Sequence, residues 1–108
     1  MLPKKNRADR KDVDKIFKDG KFLNSSSLTF KFILNKNFDI PRISFIAPKS
    51  VAKLAVRRNF LRRHGYSVLK KYSKDFPLGL VGAFIFKKGE TDSIILENEI
   101  KNILSKFR

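Results

Sequence analysis

Residues 80–86 read Leu-Val-Gly-Ala-Phe-Ile-Phe, seven positions with no charge and no hydrogen-bonding side chain. A run that short and that continuously apolar is a strand covered on both faces, and such a strand belongs in the middle of a sheet. Two further segments supply neighbours for it. From Ser27 to Leu34 the sequence alternates, with Leu28, Phe30, Phe32 and Leu34 on one side and Thr29, Lys31 and Ile33 on the other, the period of a half-buried strand. Arg42 to Ala47 alternates likewise, Ile43, Phe45 and Ala47 against Ser44 and Ile46, and Pro48 ends it. Between these two, residues 35–41 (Asn-Lys-Asn-Phe-Asp-Ile-Pro) are turn chemistry. A short extra strand over Lys21–Leu23 also fits.

Three helices complete the order. Asp9 to Asp19 carries Val13, Ile16 and Phe17 at helical spacing, with Gly20 at the place of a C-cap glycine. After Pro48, Val56, Phe60, Leu61, His64, Val68 and Tyr72 fall within one broad arc of a helix, opposite Arg58, Arg62, Arg63 and Lys70. Gly65 interrupts this helix at a cost of about 1 kcal/mol relative to Ala, which predicts a bend or loosening there. Asp92 to Arg108 places Leu96, Ile100, Ile103, Leu104 and Phe107 on one stripe, with Thr91, Asp92 or Ser93 as N-cap. No repeat or linker divides the chain, so residues 1–108 read as one small α/β domain, an α+β sandwich, with residues 1–8 as a basic arm.

The charge is what this domain must explain. There are 25 Lys and Arg against 10 Asp and Glu, a net charge of +15, and such an excess opposes compaction unless a polyanion neutralises it. Its distribution is uneven: Ile40 to Lys74 holds ten Lys or Arg and no acid, while the last twenty residues hold four of the ten acids. Arginines on neighbouring helical turns suit successive phosphates, each bonded bidentately. The plain alternative is a solvated cationic face, but without acids at i±4 that face gains nothing from self-pairing. Nucleic acid is therefore the expected partner, with no membrane: no apolar run reaches the 18 residues of a span, and the cationic helix backs onto apolar residues that the core needs. With no Cys and no secretory signal in the opening residues, a reducing cytoplasm fits.

On the sheet, Thr29, Lys31, Ser44 and Ile46 make a mixed polar and apolar surface. If the first helix leaves part of it uncovered, a groove results where unpaired bases stack and a backbone passes; otherwise Val13, Ile16 and Phe17 simply cover it. Most of the eleven Phe are core, so Phe17 and Tyr66 are the rings nominated for that groove. Catalytic constellations are missing. His64 is the sole His and has no Cys beside it, so neither a metal triad nor a nucleophile–base pair forms around it. Asp9, Asp12 and Asp14 suggest a magnesium site, but dipole and surface pairing among Arg10, Lys11, Lys15 and Lys18 explain them better.

Three segments, Leu-Pro-Lys-Lys-Asn-Arg at residues 2–7, Asp12 to Phe22, and Arg42 to Arg63, resemble in this order the protein subunit of bacterial ribonuclease P. The resemblance covers nearly the whole chain, and its signature is Arg58-Asn59-Phe60-Leu61-Arg62-Arg63, with Phe60 where the family normally has Arg. It implies the order αβββαβα with a left-handed crossover. It implies a role in removing the 5′ leader of precursor tRNA, with magnesium-dependent chemistry carried by a catalytic RNA and no catalytic residue on the protein. Carried over, Arg58, Asn59, Arg62 and Arg63, preceded by Lys49, Lys53 and Arg57, contact the catalytic RNA. Phe17 matches a ring of the leader cleft, while Val13 and Lys31 stand where aromatics are common; Ser44, Ile46 and Tyr66 join them from the reading above. The implied assembly is a 1:1 ribonucleoprotein containing one protein monomer. The rival readings are a structural RNA-binding protein of the ribosome, without a role in tRNA cleavage, and a self-sufficient nuclease using the first helix.

Overall fold

The computed structural model describes residues 10–34 and 41–107; the basic arm over 1–8 and most of the turn over 35–41 lie outside them. The elements are α1 (Arg10–Asp19), β1 (Lys21–Asn24), β2 (Leu28–Leu34), β3 (Arg42–Ile46), α2 (Ala55–Leu69), a single 3-10 turn (Ser73–Asp75), β4 (Leu80–Phe86) and α3 (Ser93–Ser105). The strands form one mixed sheet in the order β1-β2-β4-β3. Strand β4 runs antiparallel to β2 and parallel to β3, so α2 is the crossover between two parallel neighbours. The apolar strand is interior, as its composition requires, and the brief segment at Lys21 is a real edge strand.

Alternation divides each strand between two faces. Leu28 and Phe30, Ile43 and Phe45, and Leu80, Phe84 and Phe86 point to one side, where they meet Leu61, Val68 and Leu69 of α2 and Leu96, Ile100, Ile103 and Leu104 of α3. The Phe84 ring lies 4.4 Å from that of Phe30 and 5.1 Å from that of Phe45, centroid to centroid. On the other side Val81 and Ala83 are fully buried, as is Ile16 of α1, which packs against β2 and β4. Asp12 of α1 pairs with Arg42 of β3 at 3.2 Å, tying the helix across the sheet.

Gly65 does not bend α2, which runs unbroken from Ala55 to Leu69. It sits against β3: a Cβ there would lie 2.5 Å from the Phe45 ring. Gly20 is likewise a matter of space, because a Cβ would fall 2.3 Å from the Ile16 carbonyl oxygen, and among the described residues only Gly79 has a positive φ. The buried face of α2 also differs from the arc read in the sequence. Leu61, Gly65, Tyr66, Val68 and Leu69 are buried, whereas Val56 is 74% and Phe60 50% exposed. The helix is rotated so that its smallest residue makes the closest approach.

Polar contacts fix α3. The Asp92 carboxylate accepts from the Ile94 and Ile95 backbone N–H groups at 2.9 and 3.3 Å, which satisfies two of the orphan donors of the first turn. Buried Glu99 accepts from the Ser27 backbone N–H at 2.7 Å and from the Ser25 hydroxyl, clamping the β1–β2 turn. The Tyr72 hydroxyl donates to Glu97; that bond holds the Glu97 carboxyl below its ordinary pKa and the Tyr72 phenol above its own.

Two substitutions test this packing. Gly65→Ala gains roughly 1 kcal/mol in helix propensity but overpacks Phe45 at a cost of about 1–3 kcal/mol, so a lower urea midpoint is expected where a loosened helix would give a higher one. Glu99→Ala strands the Ser27 N–H and is expected to cost about 1–3 kcal/mol, read from the same unfolding curve.

Candidate nucleic-acid interface

The loop from Pro48 to Leu54 and the first turns of α2 carry the cations singled out from the sequence. Lys49, Lys53, Arg57, Arg62 and Arg63 are exposed and Arg58 is half-buried. None is paired with a carboxylate among the described residues, where the ion pair is Arg42–Asp12. Helix α2 has no acid in its first turn, and Leu54 offers no side-chain cap to its N–H groups. The positive end of the dipole therefore adds to the side-chain charge.

The close approach at Gly65 decides where these groups point. Ala55, Arg58, Asn59 and Arg62 of α2 line a groove of about 320 Å³ whose other wall is Phe45, Ile46 and Ala47. Arg58 Nη1 donates to the Ala52 and Lys53 carbonyls at 3.1 and 2.6 Å, so it also holds the loop in shape. Arg62 donates to Asn59 Oδ1, which orients both side chains along the groove. The three signature residues Arg58, Asn59 and Arg62 face β3, while Arg57, just before the signature, lies by Phe60, 5.9 Å from its ring centroid.

On the opposite face of the sheet, α1 covers one end and leaves the other open. Arg42, Val81 and Ile33 lie side by side in one row, Ser44, Ala83 and Lys31 in the next, and Ile46, Ile85 and Thr29 in the third. Val81 and Ala83 are fully buried, while Ile46, Ile85 and Thr29 are only partly so. Phe17 is 47% exposed, with Lys31 Nζ 4.7 Å from its ring centroid, and Val13 is half-buried beside it on α1. An aromatic ring, a cation and a partly apolar floor come together here, a surface that suits a stacked base and its phosphate. Ile46 borders both this face and the groove under α2, so the two candidate surfaces adjoin.

Two of the residues assigned to the cleft are placed elsewhere. Tyr66 is only 6% exposed and belongs to the core between α2 and β3; its ring meets Phe45 edge-on at 5.3 Å and its hydroxyl accepts the Phe45 backbone N–H at 3.1 Å. Its work is to close the outer edge of β3. Ser44 faces the α1 side but lies in a closed row and is buried. Conversely, Ile85 joins the open floor although its strand reads as covered throughout. Only its register opposite Thr29 and Ile46 reveals that.

Among the described residues no group of three or more His, Cys, Asp or Glu side chains is placed to hold a metal ion, and no helix is long and apolar enough to cross a membrane. The family model for ribonuclease P matches residues 2–108. The fold is similar to the RNase P protein from Thermotoga maritima, 24% identical, covering 92% of this chain and 94% of that one at a TM-score of 0.78. It is also similar to the Staphylococcus aureus RNase P protein, 19% identical, covering 93% and 94% at a TM-score of 0.77. No curated protein matches the chain. The chain belongs to the ribonuclease P protein family, and its role is that of the protein subunit of this ribonucleoprotein endoribonuclease, a partner of ribonuclease P RNA and precursor tRNA.

The geometry separates two arginines that look alike in sequence. Arg62→Ala is expected to weaken RNA binding with little change in melting temperature, whereas Arg58→Ala lowers both, because it also releases the Ala52 and Lys53 carbonyls. Parallel filter-binding and thermal-unfolding measurements on the two variants check this.

Proposed function

We propose that the protein grips the catalytic RNA with the loop and first turns of α2, and holds the 5′ leader of precursor tRNA along the open end of the α1 face. The observation that supports this most directly is the acid-free cationic helix adjoining an aromatic and cationic cleft across the edge of β3. RNA contact falls to Lys49, Lys53, Arg57, Arg58, Asn59, Arg62 and Arg63. The leader surface comprises Val13, Phe17, Lys31 and Ile46, to which we add Thr29 and Ile85; Ser44 is buried in the same face, and Tyr66 stays in the core on the α2 side of β3.

In this mechanism the protein lowers the repulsion between two polyanions. Each arginine or lysine that replaces a counterion on a phosphate makes assembly tighter and salt-dependent, and the leader, held between Phe17 and Ile46, adds affinity that mature tRNA does not receive. Magnesium held by the catalytic RNA supplies the phosphodiester chemistry, and no protein side chain touches the scissile bond. One protein monomer joins one RNA, in the cytoplasm.

Six cations, at positions 49, 53, 57, 58, 62 and 63, set the expected scale. Neutralising about six phosphates gives a log–log salt slope of roughly −4 to −5, and a flat titration would contradict the proposal. Phe17→Ala is expected to weaken the holoenzyme's binding of leader-bearing precursor by about 1–3 kcal/mol and to leave mature tRNA unaffected. Equal losses on both substrates would remove Phe17 from the leader site.

A further inference from the structure

The outward stripe of α2 carries a feature that charge does not explain. Val56 and Phe60 stand 74% and 50% exposed on a helix whose other exposed residues include Arg57, Arg62 and Arg63. The Phe60 and His64 rings are parallel to within 1°, their centroids 6.2 Å apart. His64 is anchored from below, its Nε2 lying 3.3 Å from the Ser93 hydroxyl at the start of α3. Arg57 stands at one side of the platform, 5.9 Å from the Phe60 centroid, and Arg63 is exposed on the same helix. The nearest acid in sequence to Ser93, Asp92, is committed to the α3 N-cap.

We infer that Phe60 and His64 form a stacking platform for one unpaired nucleobase of the catalytic RNA, with Arg57 and Arg63 taking the phosphates that flank it. The inference rests on the assignment of α2 to that RNA. The half-exposed Phe60 ring, backed by the parallel and half-buried His64 imidazole, offers a π face on which any base can stack, and the unneutralised guanidinium groups beside it select an anionic polymer. A second copy of the chain is a poor occupant: it would bring a net charge of +15 against an equal one.

A ring contact and a charge contact respond differently to salt, which separates this inference from the reading beneath it. Phe60→Ala should weaken binding of a bacterial ribonuclease P RNA by about 5- to 150-fold with an unchanged salt slope and an unchanged melting temperature. Phe60→Arg should recover part of the affinity with a slope steeper by roughly 0.7–0.9. Because the chain has no Trp, Phe60→Trp supplies a single indole, and its emission should be quenched when the RNA binds. If Arg62→Ala weakens binding while Phe60→Ala does not, or if Phe60→Trp emission is unmoved by saturating RNA, the platform is refuted and the α2 interface stands. If neither Arg62→Ala nor Phe60→Ala alters binding, the interface itself falls. A change in sedimentation coefficient on Phe60→Ala without loss of RNA affinity would assign the stripe to self-association and overturn the inference.

Discussion

The contact on which the rest depends is the seating of α2 at Gly65 against the Phe45 ring, closer than any side chain would allow. It brings the Tyr66 hydroxyl onto the Phe45 N–H and so closes the free edge of β3. The same approach brings Arg58, Asn59 and Arg62 over Ile46 and Ala47, and leaves Val56, Phe60 and His64 facing outward. Packing at one glycine therefore determines which cations face the groove and which rings face solvent. Function follows from a helix orientation, and that orientation follows from a missing Cβ.

Electrostatics complements this arrangement by keeping the acids occupied elsewhere. Asp12 holds Arg42 across the sheet, Asp92 caps α3, Glu97 accepts from Tyr72 and Glu99 clamps the β1–β2 turn. None of them reaches the loop and helix between Pro48 and Leu69. An unpaired cationic surface of this kind costs stability through self-repulsion. Its cost is offset when a phosphate backbone arrives, the condition under which a ribonuclease P protein works.

Much of this was legible in the sequence, because β-strand alternation and the continuous apolar run at Leu80–Phe86 each have one geometric solution. The order of elements and the interior place of β4 follow from such local patterns, while the α3 cap, open in the sequence among Thr91, Asp92 and Ser93, is Asp92. Reading α2 from hydrophobicity misplaced its buried face for a physical reason. The closest approach is made by Gly65, which contributes no apolar signal, while Val56 and Phe60 weigh heavily and are exposed. Tyr66 misled in the same way, since an amphipathic ring is equally at home sealing a strand edge or lining a cleft. The open row at Ile85 depends on strand register and on where α1 stops, and neither is encoded within seven residues of one strand.

In the proposed mechanism the polypeptide tightens an RNA enzyme on its substrate and does not itself cut. Cleavage of a precursor tRNA by a bacterial ribonuclease P RNA, followed at low magnesium with and without the purified protein, tests this most directly. The account predicts negligible cleavage by the protein alone, slow cleavage by the RNA alone, and a large rise in kcat/KM when the two are mixed. Cleavage by the protein in the absence of RNA, or an unchanged rate on adding it, would contradict it.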